Sequence, residues 1–108
     1  MSDQLRLAQF RNHLHTDFAV QISETQSMNL TLSEILVRQE KPTCEEFSLH
    51  FHGPAEFLLA QQTLHLSHPV LGELDLFTVP IGRTQDGFTY EAIIYRFLDT
   101  ETSTATTA

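Results

Sequence analysis

The stretch FSLHFHGP, residues 47–54, decides the fold of this chain of 108 residues. Its large apolar side chains, Phe47, Leu49 and Phe51, alternate with polar ones, which is the period of a β-strand with one buried face. Gly53-Pro54 ends the strand, because proline has no N–H to donate to a neighbouring strand. The stretch therefore predicts a strand whose inner side is aromatic and aliphatic.

The same alternation recurs on both sides of this stretch. It predicts further strands over residues 17–23, 28–41, 64–66, 74–81 and 88–97. Short polar connections join these strands and favour antiparallel neighbours, because a parallel pair needs a crossover of about a dozen residues or more. Between the last two strands, the dipeptide Asp86-Gly87 predicts a hairpin loop over residues 82–87.

Three of the predicted strands change the face on which their apolar residues lie. The changes come just before Ile35, Phe77 and Ile93. In a flat sheet with one wet face such a change would expose large side chains, whereas a strand that bends at a corner keeps them buried. We therefore expect a mainly β fold, a six-stranded antiparallel barrel or sandwich with one short N-terminal helix.

The N-terminal segment, residues 3–14, has a different period. Leu7, Phe10 and Leu14 recur at spacings of three and four, which is typical of an amphipathic helix. Ser2 is the residue expected to cap its N-terminus. The alternative is that this segment forms a first strand.

The C-terminal segment, residues 99–108, has the sequence DTETSTATTA and contains no large apolar residue. Such a segment buries too little apolar surface to offset an ordering cost of about 1–2 kcal/mol per residue. We expect a disordered, threonine-rich tail. Residues 1–98 are then a single β domain with an N-terminal helix.

The chain is acidic, with 14 acidic and 6 basic side chains and a formal net charge of −8. Nucleic acids and anionic membranes bind clustered cations, so neither is expected as a partner. No run approaches the roughly 18 apolar residues of a membrane-spanning helix, and the N-terminus has no signal-peptide pattern. Cys44 is the one cysteine and forms no intrachain disulfide. These features predict a cytoplasmic protein.

Histidines are the main candidates for chemistry, since the chain has six of them. On a strand, His50 and His52 point to the same side, about 7 Å apart. With Glu56 they resemble the first metal motif of the cupins, which are small double-sheet jelly rolls. Pro80-Ile81-Gly82 stands where the second cupin motif has its Pro-x-Gly.

Three positions depart from the cupin pattern. Cys44 and Thr63 stand where the first motif has glycines, and Gln85 stands where the second motif has its histidine. We therefore expect no catalytic residue, no bound metal and no cofactor, with the histidines on a solvent-facing strand surface. A metal site at His50, His52 and Glu56 stays open as the alternative.

A second likeness covers most of residues 4–97 and consists of an ordered set of apolar, glycine and proline positions. The set is Phe47-Ser48-Leu49, Phe51, Gly53-Pro54, Leu64-His65-Leu66, His68-Pro69, Leu71-Gly72-Glu73-Leu74, Phe77, Val79-Pro80-Ile81-Gly82 and Tyr90-Glu91-Ala92, and Phe10 and Phe18-Ala19-Val20 fit the same domain. This set resembles the family catalogued as domain of unknown function 6916. The resemblance implies a compact bacterial β domain without assigned activity, of a kind that accompanies phage-tail-collar-like proteins.

Two classes of function follow from these observations. The first is a non-enzymatic protein-interaction or assembly module, accessory to a phage-tail-like bacterial structure, with a protein as its partner. The sequence does not specify its oligomeric state. Its acidic surface predicts a basic patch on the partner, and strand addition at an exposed sheet edge is the alternative mode. The second class is a cupin-like metal-dependent enzyme or sugar-binding domain that uses His50, His52 and Glu56. A metal assay distinguishes the two classes.

Removal of residues 99–108 is expected to change the free energy of unfolding by less than about 0.5 kcal/mol, because a tail without buried partners contributes little. Urea denaturation of the full chain and of the truncated chain measures the difference. A large drop in stability on truncation would contradict the prediction and would mean that the tail docks on the domain.

Overall fold

A computed structural model describes residues 6–98 as a closed barrel of six antiparallel strands with one short helix. The elements are α1 (Leu7–Arg11), β1 (Asp17–Gln21), β2 (Ser27–Lys41), β3 (Cys44–Pro54), β4 (Gln62–His68), β5 (Gly72–Thr84) and β6 (Gly87–Phe97). The predicted six-stranded antiparallel fold with an N-terminal helix is therefore confirmed, in its barrel form. Residues 1–5 and 99–108, including Ser2 and the threonine-rich tail, lie outside the described residues.

β3 is the central strand of the sheet. The strands follow one another in the order β1-β2-β3-β6-β5-β4, and β4 pairs with β1 to close the barrel. β3 pairs with β2 from Cys44 to His52 and with β6 along its whole length. Its inward side chains Phe47, Leu49 and Phe51 are fully buried, as the alternation predicts.

Three strands continue beyond the barrel. β1 pairs with β2 only as far as Thr31, and β5 pairs with β6 only as far as Glu91. The part that continues consists of residues 33–41 of β2, 44–49 of β3 and 92–97 of β6. We call it the three-stranded extension. β3 lies in its middle, and β2 and β6 lie at its edges.

α1 covers the inner face of the three-stranded extension. Leu7 and Phe10 are fully buried, and the Phe10 ring centroid lies 5.8 Å from that of Phe47 on β3. The helix is shorter than the predicted helix over residues 3–14. It ends at Arg11, and His15 takes a left-handed φ of 69° that turns the chain into β1. Within residues 6–98 no helix is long and apolar enough to cross a membrane.

Glu45 fixes the start of this helix. Its carboxylate accepts the Leu7 N–H at 3.1 Å and two hydrogen bonds from the Arg6 guanidinium, at 3.1 and 3.2 Å. Burial by itself raises the pKa of Glu45, but the hydrogen bonds from Arg6 and Leu7 outweigh it and hold the pKa below its ordinary value. Arg6 occupies the N-cap position of α1, and the carboxylate that accepts the Leu7 N–H comes from a distant strand.

β2 changes its inward face where the sequence predicts a bend. Its register with β3 shifts between Leu32 and Glu34, which makes Ser33 the extra residue of a β-bulge. Leu30 faces the core before the bulge and Ile35 packs against the core after it. The predicted face change of this strand is confirmed.

The predicted bends of β5 and β6 are wrong. β6 keeps an unbroken register with β3, and the register shift of β5 comes only at Ile81. Phe77 is therefore 53% exposed and Ile93 59% exposed. The apolar residues expected to turn into the core stand on the outer face of the sheet, because these strands run straight through the change of pattern.

The hairpin between β5 and β6 is tighter than the predicted loop over residues 82–87. The ladder continues to the pair Thr84↔Gly87, so the turn consists of Gln85 and Asp86. Gly87 lies against β3, where a Cβ atom would come within 1.8 Å of the Gly53 carbonyl oxygen. Only glycine fits this close approach of two backbones.

Glu45→Gln is expected to lower the free energy of unfolding by about 1–3 kcal/mol, because it leaves buried hydrogen-bonding groups poorly matched. The glutamine oxygen still accepts the Leu7 N–H, but its NH2 group faces the Arg6 guanidinium. Glu46→Gln, on the outer face of the same strand, is the matched control and should cost less than about 0.5 kcal/mol. Urea denaturation at pH 7 measures both.

The effect of Glu45→Gln should also shrink in acid. The folded-state pKa of Glu45 lies below its unfolded value, so its contribution to stability is complete above the unfolded pKa and is lost as the pH falls through the folded pKa. Equal costs of the Glu45 and Glu46 substitutions at pH 7 would contradict a capping role for Glu45.

Candidate interaction surface

The most exposed apolar side chains of the three-stranded extension form one row on β6. Ile93, Tyr95 and Phe97 lie on the outer face. Ile93 is 59% exposed, Tyr95 is 52% exposed and Phe97 is 77% exposed. The Tyr95 and Phe97 rings contact each other edge to face, with centroids 5.3 Å apart. We call these three residues the β6 row. Their even spacing places all three side chains on one side of the strand.

The outer face of β3 explains why the β6 row projects from the sheet. Opposite the row, β3 carries Cys44, Glu46 and Ser48, and the short side chains of Cys44 and Ser48 are buried beneath their neighbours. Ser48 lies between Leu36 on β2 and Ile93 on β6, and its hydroxyl accepts a hydrogen bond from Arg38 at 2.8 Å. Short residues in the middle leave the longer side chains of the flanking strands at the surface.

Two further exposed apolar side chains, one on β2 and one on β5, stand on the outer face of the sheet. Leu36 of β2 is 39% exposed on the same outer face. Phe77 of β5 is also exposed. It lies two residues before Val79, where the pairing of β5 with β6 begins. We call the β6 row together with Leu36 and Phe77 the outer patch.

Charged groups border the outer patch on the side of the barrel. Glu34, His50 and Glu91 are cross-strand neighbours on β2, β3 and β6. His50 donates a hydrogen bond from Nε2 to Glu91 at 3.1 Å, and its Nδ1 atom lies 3.8 Å from the Glu34 carboxylate. The patch therefore has an apolar centre and a polar border.

The fold does not bring the three predicted metal-ligand candidates together as one site. His50 and His52 do point to the same outer side of β3, as the alternation predicts, but His50 is only 15% exposed between its two carboxylate neighbours. Glu56 lies in the exposed turn that follows β3. Across residues 6–98 no three His, Cys, Asp or Glu side chains are grouped so as to hold a metal ion.

The comparison with protein families covers the barrel and most of the extension, up to residue 94 of β6. The model of the family described as domain of unknown function (DUF6916) matches residues 5–94. The chain belongs to this family. The resemblance seen in the sequence is thereby confirmed. No curated protein and no solved structure matches the chain.

His65 of this DUF6916 domain is held by two carboxylates on the neighbouring strand. Its Nδ1 lies 2.7 Å from Asp75 and its Nε2 lies 3.2 Å from Glu73. The hydrogen bond to Asp75 raises the pKa of His65, and Glu73 adds to the effect. All three side chains are well exposed, so water and salt screen this pair and it contributes little to stability.

His68 has a structural role in the turn between β4 and β5. Its Nδ1 accepts the N–H groups of Val70 and Leu71 at 3.1 and 3.2 Å. The proton is therefore assigned to Nε2, which donates to the Thr16 hydroxyl at 3.0 Å. Burial lowers the pKa of His68, and the nearby His13 lowers it further. A neutral His68 thus joins the turn to the start of β1.

The alternation assigns Phe77, Ile93, Tyr95 and Phe97 to the core, so the outer patch could not be predicted from it. One signal distinguishes the two cases. At the confirmed bulge of β2 a polar residue, Ser33, stands between the two apolar phases, whereas Leu76-Phe77 and Ala92-Ile93 are direct apolar neighbours. A phase change without an extra polar residue indicates a straight strand with apolar side chains on both faces.

The free energy of unfolding is expected to fall as the pH drops below the unfolded pKa of His68, about 6.5. The folded-state pKa lies lower, so the unfolded chain binds more protons there and is favoured. His68→Asn keeps an acceptor for the turn N–H groups and cannot titrate. Its stability should therefore vary less between pH 7.5 and pH 5.5 than that of the wild type.

His65→Asn is the control for this measurement. The pKa of His65 is raised, so its small contribution is present below pH 6.5 and is lost as the pH rises through the folded pKa, the opposite sign. Identical pH profiles for the wild type and for His68→Asn would show that protonation of His68 does not limit stability.

Proposed function

We propose that this DUF6916 domain is a non-enzymatic protein-interaction or assembly module, accessory to a phage-tail-like bacterial structure, and that it docks through the outer patch. The observation that carries the proposal is the β6 row, whose side chains are more than half exposed. No other element within residues 6–98 covers this face.

The size of the outer patch supports a docking role. A whole aromatic side chain buries about 150–250 Å² when it is covered, so the exposed fractions of the patch together offer on the order of 400–700 Å². The largest apolar patch on a typical monomer reaches a few hundred Å² and is often functional. Tyrosine and phenylalanine are also enriched at the centres of protein interfaces.

The charge distribution favours apolar docking over electrostatic recognition. The chain carries a net charge of −8, yet the outer patch contains no carboxylate. Glu34 and Glu91 stand at its border, and Glu46 of β3 lies directly opposite Tyr95. Apolar burial responds weakly to salt, whereas attraction to a basic partner falls as salt rises. We therefore expect the domain to bind its partner through apolar contacts, with an affinity that varies little with salt.

Three of the six histidines and the cysteine are committed to structural contacts, which supports a non-enzymatic role. His50 and His65 are paired with carboxylates, and His68 is committed to a turn. Cys44 is a buried free thiol that donates to Gln39. A lone reduced thiol fits the cytoplasm, which is the location that goes with this proposal.

A photo-cross-linking amino acid at position 97 is expected to capture a neighbouring protein in the native host, whereas the same group at position 70 is not. Val70 is the matched control, because it is apolar and 70% exposed but lies in the β4–β5 turn outside the outer patch. Mass spectrometry of the adduct identifies the partner, which we expect to be a structural protein of a tail-like assembly.

The purified partner then allows a quantitative check. Tyr95→Ser is expected to weaken binding at least about tenfold, as the loss of an aromatic anchor does, and Val70→Ser to leave it unchanged. The affinity should vary little between low and high salt. Adducts of equal strength at both positions, or adducts only with a second copy of the chain, would contradict the proposal.

A further inference from the structure

We propose that a second copy of this chain pairs with the free edge of β6, so that two three-stranded extensions join into one continuous antiparallel sheet. The inference rests on the proposed function, because it describes how the docking surface is completed.

Within residues 6–98, β6 has a free edge over residues 92–97. On one side it pairs with β3 along its whole length. On the other side β5 pairs only as far as Glu91, and no other strand of the described chain takes its place. A free edge presents unpaired N–H and C=O groups and accepts an added strand.

The backbone groups at this edge can be assigned residue by residue. Leu98 donates its N–H to the Thr43 carbonyl at 2.8 Å, on the side of β3. Backbone groups alternate between the two edges of an antiparallel strand, so those of Ile94 and Arg96 also point to β3. The N–H and C=O groups of the β6 row therefore point to the free edge. The residues with the exposed side chains are those with the unpaired backbone.

The other free edge of the extension, in β2, is protected against such pairing. Its register with β3 shifts twice, so the edge is bulged. Its charged residues are Glu34, Arg38, Glu40 and Lys41. Bulges and charged side chains are the usual means by which a sheet edge is kept from pairing. β6 keeps an even register over residues 92–97 and carries one charge there, on Arg96.

A two-fold axis at Tyr95 gives the pairing that uses this edge fully. Opposite residues of an antiparallel pair share one face, so the β6 row must face the β6 row of the second copy. Tyr95 then lies opposite its own copy, and Ile93 lies opposite Phe97 of the second copy. Each of these pairs exchanges two hydrogen bonds, which satisfies every edge N–H and C=O group of the row.

The geometry doubles the outer patch instead of covering it. The two-fold axis is perpendicular to the sheet, so the outer faces of both copies lie on the same side. The two β6 rows become adjacent and form one apolar surface. A partner that docks on the outer patch would then meet twice the area that one chain offers.

The local charge permits two acidic chains to meet at this edge. Residues 92–97 contain no carboxylate, and Arg96 lies opposite Ile94 of the second copy in this register. Repulsion between the copies comes from more distant groups, which salt screens over about 10 Å at 0.1 M. A contact of a few residue pairs is small, and we expect a Kd in the range of about 10–100 µM.

Sedimentation equilibrium of the full chain between about 5 and 500 µM tests the pairing by mass action. The mass should rise from 12.3 kDa toward twice that value. Tyr95→Pro removes the edge N–H at the centre of the pair and leaves the β3 hydrogen bonds in place, so self-association should weaken at least about tenfold. Tyr95→Ala, the matched control, loses the ring but keeps the N–H and should weaken it less.

Hydrogen exchange of the unaltered chain makes the test independent of whether Tyr95→Pro folds. The amides of the β6 row should exchange about threefold more slowly at 500 µM than at 5 µM, because pairing covers them. The amides of Ile94 and Arg96 are bonded to β3 with or without a second copy and should not change.

A mass of one chain at every concentration, with exchange of the β6 row independent of concentration, overturns the pairing. Cross-linking of position 97 to another protein would in that case leave the proposed function standing, so the two failures are distinguishable. A chain that is monomeric until residues 1–5 are deleted also overturns the pairing, because its own N-terminus is then the occupant of the edge.

Discussion

Hydrogen bonding of β3 on both of its edges is the constraint on which the rest of the structure depends. β2 and β6 hold it along its length, so its side chains project either into the domain or outward. Inward, Phe47, Leu49 and Phe51 build the core, and Glu45 reaches the start of α1. Outward, its short residues lie beneath the side chains of the flanking strands. One strand thereby supplies the core, the helix cap and the floor of the outer patch.

The two faces of the three-stranded extension are treated differently. α1 covers the inner face, where Leu7 and Phe10 are buried completely. The outer face carries exposed apolar side chains beside polar ones such as Glu46, yet no element within residues 6–98 lies over it. The one helix in this range is thus used to close the inner face alone. Exposed apolar side chains on a face that no element covers are typical of a surface that another protein binds. Phe97, the most exposed aromatic residue of the row, lies at its far end.

The strands and the barrel could be predicted from the sequence, because alternation with period two specifies which side of each strand is buried. The faces of β5 and β6 could not, since alternation does not distinguish a strand that bends from a straight strand that is apolar on both sides. The cap of α1 could not be predicted from the sequence either. Glu45 stands 38 residues from Leu7, and only the packed sheet brings the two together. The histidine pair was placed on the correct face, but its carboxylate neighbours Glu34 and Glu91 depend on the register of three strands.

The cap supplied by Glu45 also sets an order of events during synthesis of the chain. A helix of five residues does not persist alone, because its nucleation cost is not repaid by so few hydrogen bonds. The strand that carries Glu45 is held in place by β6, which ends at Phe97. The α1 segment, which is made before every strand of the domain, therefore has nowhere to dock until β6 has also been made. Folding of this DUF6916 domain is governed by contacts between distant parts of the chain, and a ribosome that stalls before β6 would release a chain whose N-terminal apolar residues are uncovered.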